Sequence, residues 1–238
     1  MTKRCTIGLV LKTAVAASAA AGIVLQAGSE AGPHGASGSL FYYFTIQSNM
    51  WIGAAALAFG AIDLASKGRP RLPQAAYALK FMFTSSICLT FAVFSLLLAP
   101  LMPRSYLLSP SNILLHNLTA LLAAGDFLAC DVDFRPGKAS WLLASAMPGL
   151  YLAFILILSA SGPPRFSGKP VPYFFLDYEK LGWFRVGKGS LGAAYWIAAV
   201  FVLASLIGAG LLKALSKAEA RRGGRREIYS SPGGDNGT

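Results

Sequence analysis

Phe41-Tyr42-Tyr43-Phe44-Thr45-Ile46-Gln47-Ser48-Asn49 runs four aromatics into a polar cluster, and an apolar run then continues to Ile62. Aromatic rings suit the boundary between membrane and water. Hydroxyls and amides just inside that boundary are costly unless they find partners. The stretch therefore predicts the mouth of a membrane helix with something polar built into it.

The rest of the chain agrees. Of its 238 residues, 55% are hydrophobic and 13% charged, against about 25% charged in a soluble domain. Apolar runs of about 20 residues recur from end to end, which is the length needed to cross a bilayer. The formal charge of +11 invites a nucleic-acid reading, but the cations sit between and after the apolar runs, where orientation signals sit. No finger, homeodomain or RNA-binding signature accompanies them. Cys5, Cys88 and Cys130 have no paired spacing, so neither a disulfide framework nor a zinc site is expected. No nucleotide, metal or haem motif stands out, and no cofactor is expected.

Working outward, the first apolar run covers residues 7–27. A cleaved signal peptide competes with a retained helix here; the run is long for a signal's apolar core, which favours retention. Gly28–Ser39 is a loop with Glu30 and His34, and His34 reads as a surface residue. The second helix spans Leu40–Ile62 and ends near Asp63. Lys67–Pro73 is a basic turn that its prolines keep non-helical. The third helix runs from about Ala75 to Ala99, with Lys80 in its first two turns, and the fourth from after Pro110-Ser111 to about Cys130. Ser140–Ala160 is the fifth, kinked at Pro148. Ser161–Gly189 is the longest connection, and Ser190–Leu212 is the sixth helix. The expected fold is all-α: six transmembrane helices in one bundle over residues 1–215, with residues 216–238 a basic, disordered tail.

Six crossings put both termini on one side. That side holds fifteen Lys and Arg, and the other holds six. The excess places both termini in the cytoplasm of a multi-pass cell-membrane protein. The basic set from Lys213 to Arg226 fits anionic lipid equally well as a plain topology anchor.

This topology puts Thr45 and His116 at similar depth on the outer side. Thr45, Ser48 and Asn49 share one helical face; Asn112, His116, Thr119 and Asp126 form a stripe on the fourth helix. Polar stripes should face the bundle interior. Thr45 could equally bond its own backbone, and Ser48 and Asn49 could be interhelical glue. Asp63, Lys80 and Asp126 cluster at the inner helix ends, where Lys80 could pair with either carboxylate or snorkel. An ion pair is favoured over a proton relay.

Six helices, an aromatic-flanked threonine opening the second and a histidine opening the fourth resemble the androgen-induced-protein family of membrane-embedded threonine hydrolases, and most of all its bacterial six-helix branch. Tyr173-Phe174-Phe175-Leu176-Asp177 resembles that family's Tyr-Pro-Phe-Leu-acidic motif, with Phe174 where proline is usual. The resemblance implies Thr45 as nucleophile, His116 as its partner, and fatty-acid esters of hydroxy fatty acids as substrates. Candidate oxyanion or substrate contacts, by residue type, are Ser48, Asn49, Asn112, Asn117 and Thr119. Tyr173, Leu176 and Asp177 belong to the outer-loop motif, and Asp177 could fold over the mouth. The expected partners are membrane lipids and a lipid ester, not nucleic acid. A non-catalytic protein binding lipid or a partner through the same pocket is the alternative. A transporter ranks last, because no repeat of halves is visible and only Pro148 breaks a helix centre.

Overall fold

The computed structural model describes residues 3–29, 37–67, 72–131, 133–162, 165–187 and 190–230. Glu30, His34, the centre of the basic turn (residues 68–71) and the last eight residues lie outside these. Among the described residues, six helices are long and apolar enough to cross a membrane. They are α1 (Lys3–Ala27), α2 (Phe44–Ala65), α3 (Gln74–Leu101), α4 (Pro110–Cys130), α5 (Ser140–Ala160) and α6 (Ala193–Ser230). The protein is an all-α, multi-pass membrane protein.

α3 lies at the centre, packed against α2, α4, α5 and α6, while α1 runs along α2 and α4. Among the described residues the buried apolar side chains form four clusters, a small one of Leu40, Ile46 and Leu115 and three larger ones. An aromatic layer joins Phe44, Tyr151, Phe166, Tyr173 and Phe175 at the face away from the termini. A middle layer is small and branched, with Val15, Ile52, Ala56, Ile87, Ala120 and Ala123. A third, around Phe81, Phe127, Phe134 and Leu215, lies toward the termini. Between lipid-bathed helices burial of apolar surface drives little, so close packing and small residues hold the contacts. Gly208 of α6 shows how tight they are: a Cβ there would lie 2.6 Å from the Ala144 Cβ and 2.7 Å from the Trp141 carbonyl oxygen. The backbone carbonyl cannot yield, so Gly208→Ala should cost roughly 1–3 kcal/mol, read as a lower unfolding temperature of the purified protein.

Three helix boundaries differ from expectation. α2 begins at Phe44 rather than Leu40, because Ser37–Tyr42 is a 3-10 turn and Tyr43 is extended (φ −88°, ψ 133°). Pro148 sits close to a change of helix type. Ser140–Ser145 is 3-10, and the α-helical part starts at Ala146, so the proline falls in a first turn, where its missing N–H costs nothing. α6 continues to Ser230, past the end expected near Leu212. Residues 213–222 contain no proline and are rich in Ala, Leu, Lys, Glu and Arg, all good helix formers.

Candidate functional site

Thr45 is the second residue of α2, so it lies in the turn whose N–H groups have no intrahelical acceptor. His116 comes from a π-helical stretch of α4, Ile113–Leu118. A second π-helical stretch, Phe94–Leu98, lies in α3. A π turn inserts a residue and re-aims side chains, and such turns gather at functional sites. The two stretches meet: the Phe94 ring stacks on the His116 ring at 3.9 Å between centroids and 25° between planes. His116 Nε2 then lies 3.3 Å from Thr45 Oγ1.

Asn49 fastens this arrangement. Its Nδ2 donates to the Thr45 carbonyl at 2.8 Å and to the Leu115 carbonyl at 3.0 Å. It thereby ties the first turn of α2 to the π stretch that carries His116. An amide nitrogen has two protons, and both are used, so Asn49 is a brace and not an oxyanion donor. Ser48 is also a brace, donating to the Thr45 carbonyl at 3.1 Å and sharing a 2.8 Å hydrogen bond with Thr90 of α3. Asn112 donates to the Leu107 carbonyl, and Thr119 shares a 2.8 Å hydrogen bond with Ser18 of α1. Asn112, Asn117 and Thr119 line neither cavity described next.

Two cavities meet at Thr45. One, of about 70 Å³, is almost wholly apolar and runs between α3, α5 and α6 past Leu89, Val93, Leu152 and Val200. The other, of about 240 Å³, is more polar and is lined by Gln26, Tyr106, His116, Ser167 and Lys169. Thr45, Phe94, Leu98 and Tyr173 face both. Tyr173 comes from the long connection. Burial pushes its hydroxyl up to about 12. Of the outer-loop motif, Tyr173 lines both cavities together with Thr45, and Leu176 lines the apolar one. Asp177 does not close the mouth. It caps the helix Tyr178–Leu181, accepting from the Lys180 N–H at 3.2 Å.

The second polar cluster lies toward the termini, ten residues along α4 from His116. Lys80 pairs with Asp126 and Asp131, each at 2.7 Å, and not with Asp63. Asp63 pairs at 3.1 Å with Lys12, which also reaches Asp126 at 3.2 Å. Three carboxylates thus surround two ammonium groups. Asp131 lies just past α4, and burial pushes its carboxyl up to about 6 against the pull of the Lys80 ammonium. A raised acid binds its proton more tightly in the folded state, so stability falls as pH climbs from about 4 to 6, by about 3 kcal/mol at most. Asp131→Asn should flatten that slope in thermal unfolding between pH 4 and 7.

Sequence reasoning missed Lys12 and Asp131 as members of this network. The signal was present for Lys12, an ammonium at the twelfth residue with apolar runs on both sides; Asp131 reads as an ordinary turn residue. Phe94, Gln26 and Lys169 carry no sequence signal, since they join the site only through folding. Comparison with protein-family models, curated proteins and solved structures finds no match for the chain.

Proposed function

We propose that the protein is an integral membrane hydrolase of lipid esters, with Thr45 as nucleophile and His116 as its base. The observation that carries this reading is the 3.3 Å contact between Thr45 Oγ1 and His116 Nε2 at the junction of a narrow apolar cavity and a polar one. A threonine hydroxyl is a poor nucleophile until a base takes its proton. A neutral imidazole with Nε2 unprotonated does so at hydrogen-bond reach.

The acyl chain lies in the apolar cavity, with its ester carbonyl over Thr45. Oγ1 gives its proton to Nε2 and attacks the carbonyl carbon. The carbon–oxygen bond to the alcohol then breaks, and the leaving alkoxide takes the proton from the imidazole. Water from the polar cavity cleaves the acyl-threonine by the same route in reverse. The carbonyl oxygen becomes an anion in each half-reaction, and the Tyr173 hydroxyl, on the wall of both cavities with Thr45, is the candidate donor. The acid that leaves is a fatty acid; esters of hydroxy fatty acids are the class implied by the family resemblance. The bias of Lys and Arg supports a cell-membrane protein with cytoplasmic termini and a site in the outer half of the bilayer.

The test is covalent capture. Purified protein in detergent, treated with a long-chain fluorophosphonate, should gain one adduct, which peptide mass spectrometry maps to Thr45. His116→Ala should lose it. An adduct elsewhere, or none in a protein that binds the probe's chain, would leave a lipid-binding pocket without catalysis.

A further inference from the structure

The apolar cavity lies in a wedge between two membrane spans. α5 and α6 pack together at the 3-10 turn Ser140–Ser145. There Ser145 shares a 3.1 Å hydrogen bond with Ser205, and Gly208 sits against Ala144. Beyond that turn the helices part: Ala146–Ala160 packs on α3 and no longer closely on α6. The cavity fills the space between them, with Leu152 on one side and Ile197 and Val200 on the other. These three are half-buried, whereas Leu89 on the α3 wall behind them is buried. Phe175 and Leu176 of the long connection close the far end of the wedge.

A glycine keeps this wedge open near its vertex. A Cβ at Gly149 of α5 would meet only the edge of the Phe201 ring of α6, at 3.7 Å, outside its own helix. Phe201 also lines the cavity. A methyl group fits there, but a longer side chain would extend into the gap. On either side of the gap the spans turn Leu150, Phe154, Val202 and Leu206 outward, each at least 40% exposed. The gap therefore opens among lipid chains. No charged residue lines the cavity among the described residues. A narrow apolar gap left empty forfeits dispersion contacts along its walls, and a hydrocarbon chain restores them.

We propose that the gap between α5 and α6 is a lateral door through which one acyl chain passes from the bilayer toward Thr45, with Gly149 leaving it open and Phe201 forming its sill. Its use as a substrate route rests on the hydrolase reading; its occupancy by a chain does not. Protein in phosphatidylcholine vesicles is irradiated with a fatty acid carrying a mid-chain diazirine, and the adducts are mapped by peptide mass spectrometry. In the parent they fall on the α3 wall of the cavity, at Leu89 and Val93, as well as on the outer faces of α5 and α6. Gly149→Leu lowers the α3 adducts about tenfold, the scale on which an apolar slot rejects surplus methylenes, and keeps the outer ones. Gly149→Ala, whose methyl makes an ordinary contact with the Phe201 ring, keeps both. Adding Phe201→Ala to Gly149→Leu restores the α3 adducts, which a misfolded protein would not do. Absence of α3 adducts in the parent, or an unchanged yield in Gly149→Leu, overturns the door. Turnover separates it from the hydrolase reading: Gly149→Leu should slow hydrolysis of a long-chain ester in the vesicle far more than that of a short water-soluble ester, which enters by the polar cavity. Adducts that position 149 controls in a protein with no esterase activity leave the door standing and overturn only the hydrolase.

Discussion

Thr45→Ala should abolish ester turnover, with a loss of roughly a thousandfold or more, as when a covalent nucleophile is removed from a site whose other parts remain. The folded protein should survive the change. Thr45 is only half-buried, and the braces around it use its backbone: the Asn49 and Ser48 side chains both donate to its carbonyl. Those bonds persist in the alanine variant, so lost activity would report lost chemistry. Thr45→Ser sharpens the test by keeping the hydroxyl and removing only the γ-methyl, and it should retain measurable activity. His116→Ala should lose about a hundredfold to ten-thousandfold, the usual worth of a general base. It also removes the ring stacked on Phe94, so its unfolding temperature must be measured alongside. Full esterase activity in Thr45→Ala would sink the catalytic reading and leave a lipid-binding pocket.

Lys80→Met should be the most destabilising single change outside the apolar core, at about 3–5 kcal/mol, the cost of leaving buried charge uncompensated. Lys80 is 1% exposed and holds two carboxylates at once, Asp126 and Asp131. Its ammonium also lies 4.7 Å from the centre of the Phe59 ring. Without it, Lys12 alone would face three carboxylates from α2, α4 and the residue just past α4. At this chain length the loss corresponds to a fall in unfolding temperature on the order of 10 °C. The double variant Lys80→Met with Asp131→Asn should recover part of it, because it removes one of the orphaned negative charges. A loss below about 1 kcal/mol would mean that the network behaves like a solvated surface pair.

The two polar clusters were legible to different degrees. His116 stands out because imidazole is expensive in a bilayer, whereas Thr45, one of many hydroxyls in the spans, is singled out by the family resemblance and by a position that puts it at matching depth. What each neighbour does was not legible. Asn49 has the chemistry of an oxyanion donor, yet both its protons go to carbonyls, one of them within the π stretch of α4. Periodic reading assumes a regular helix, so an inserted residue at Ile113–Leu118 or Phe94–Leu98 is invisible to it. Lys80 shows the same limit: helix-end position names its possible partners, but only the packing of four helices chooses Asp126 and Asp131 over Asp63.

By itself the sequence determined that six helices cross a membrane, where most of them begin and end, and which polar side chains must turn inward. These follow from local composition, because a bilayer penalises each exposed polar group wherever it lies. The tertiary structure decided the rest. Contact between two π stretches aims His116 at Thr45, the long connection returns Tyr173 and Lys169 over the mouth, and α1 brings Lys12 to the carboxylates of α2 and α4. Such placements depend on the relative rotation and depth of helices far apart in the chain, which no local pattern encodes.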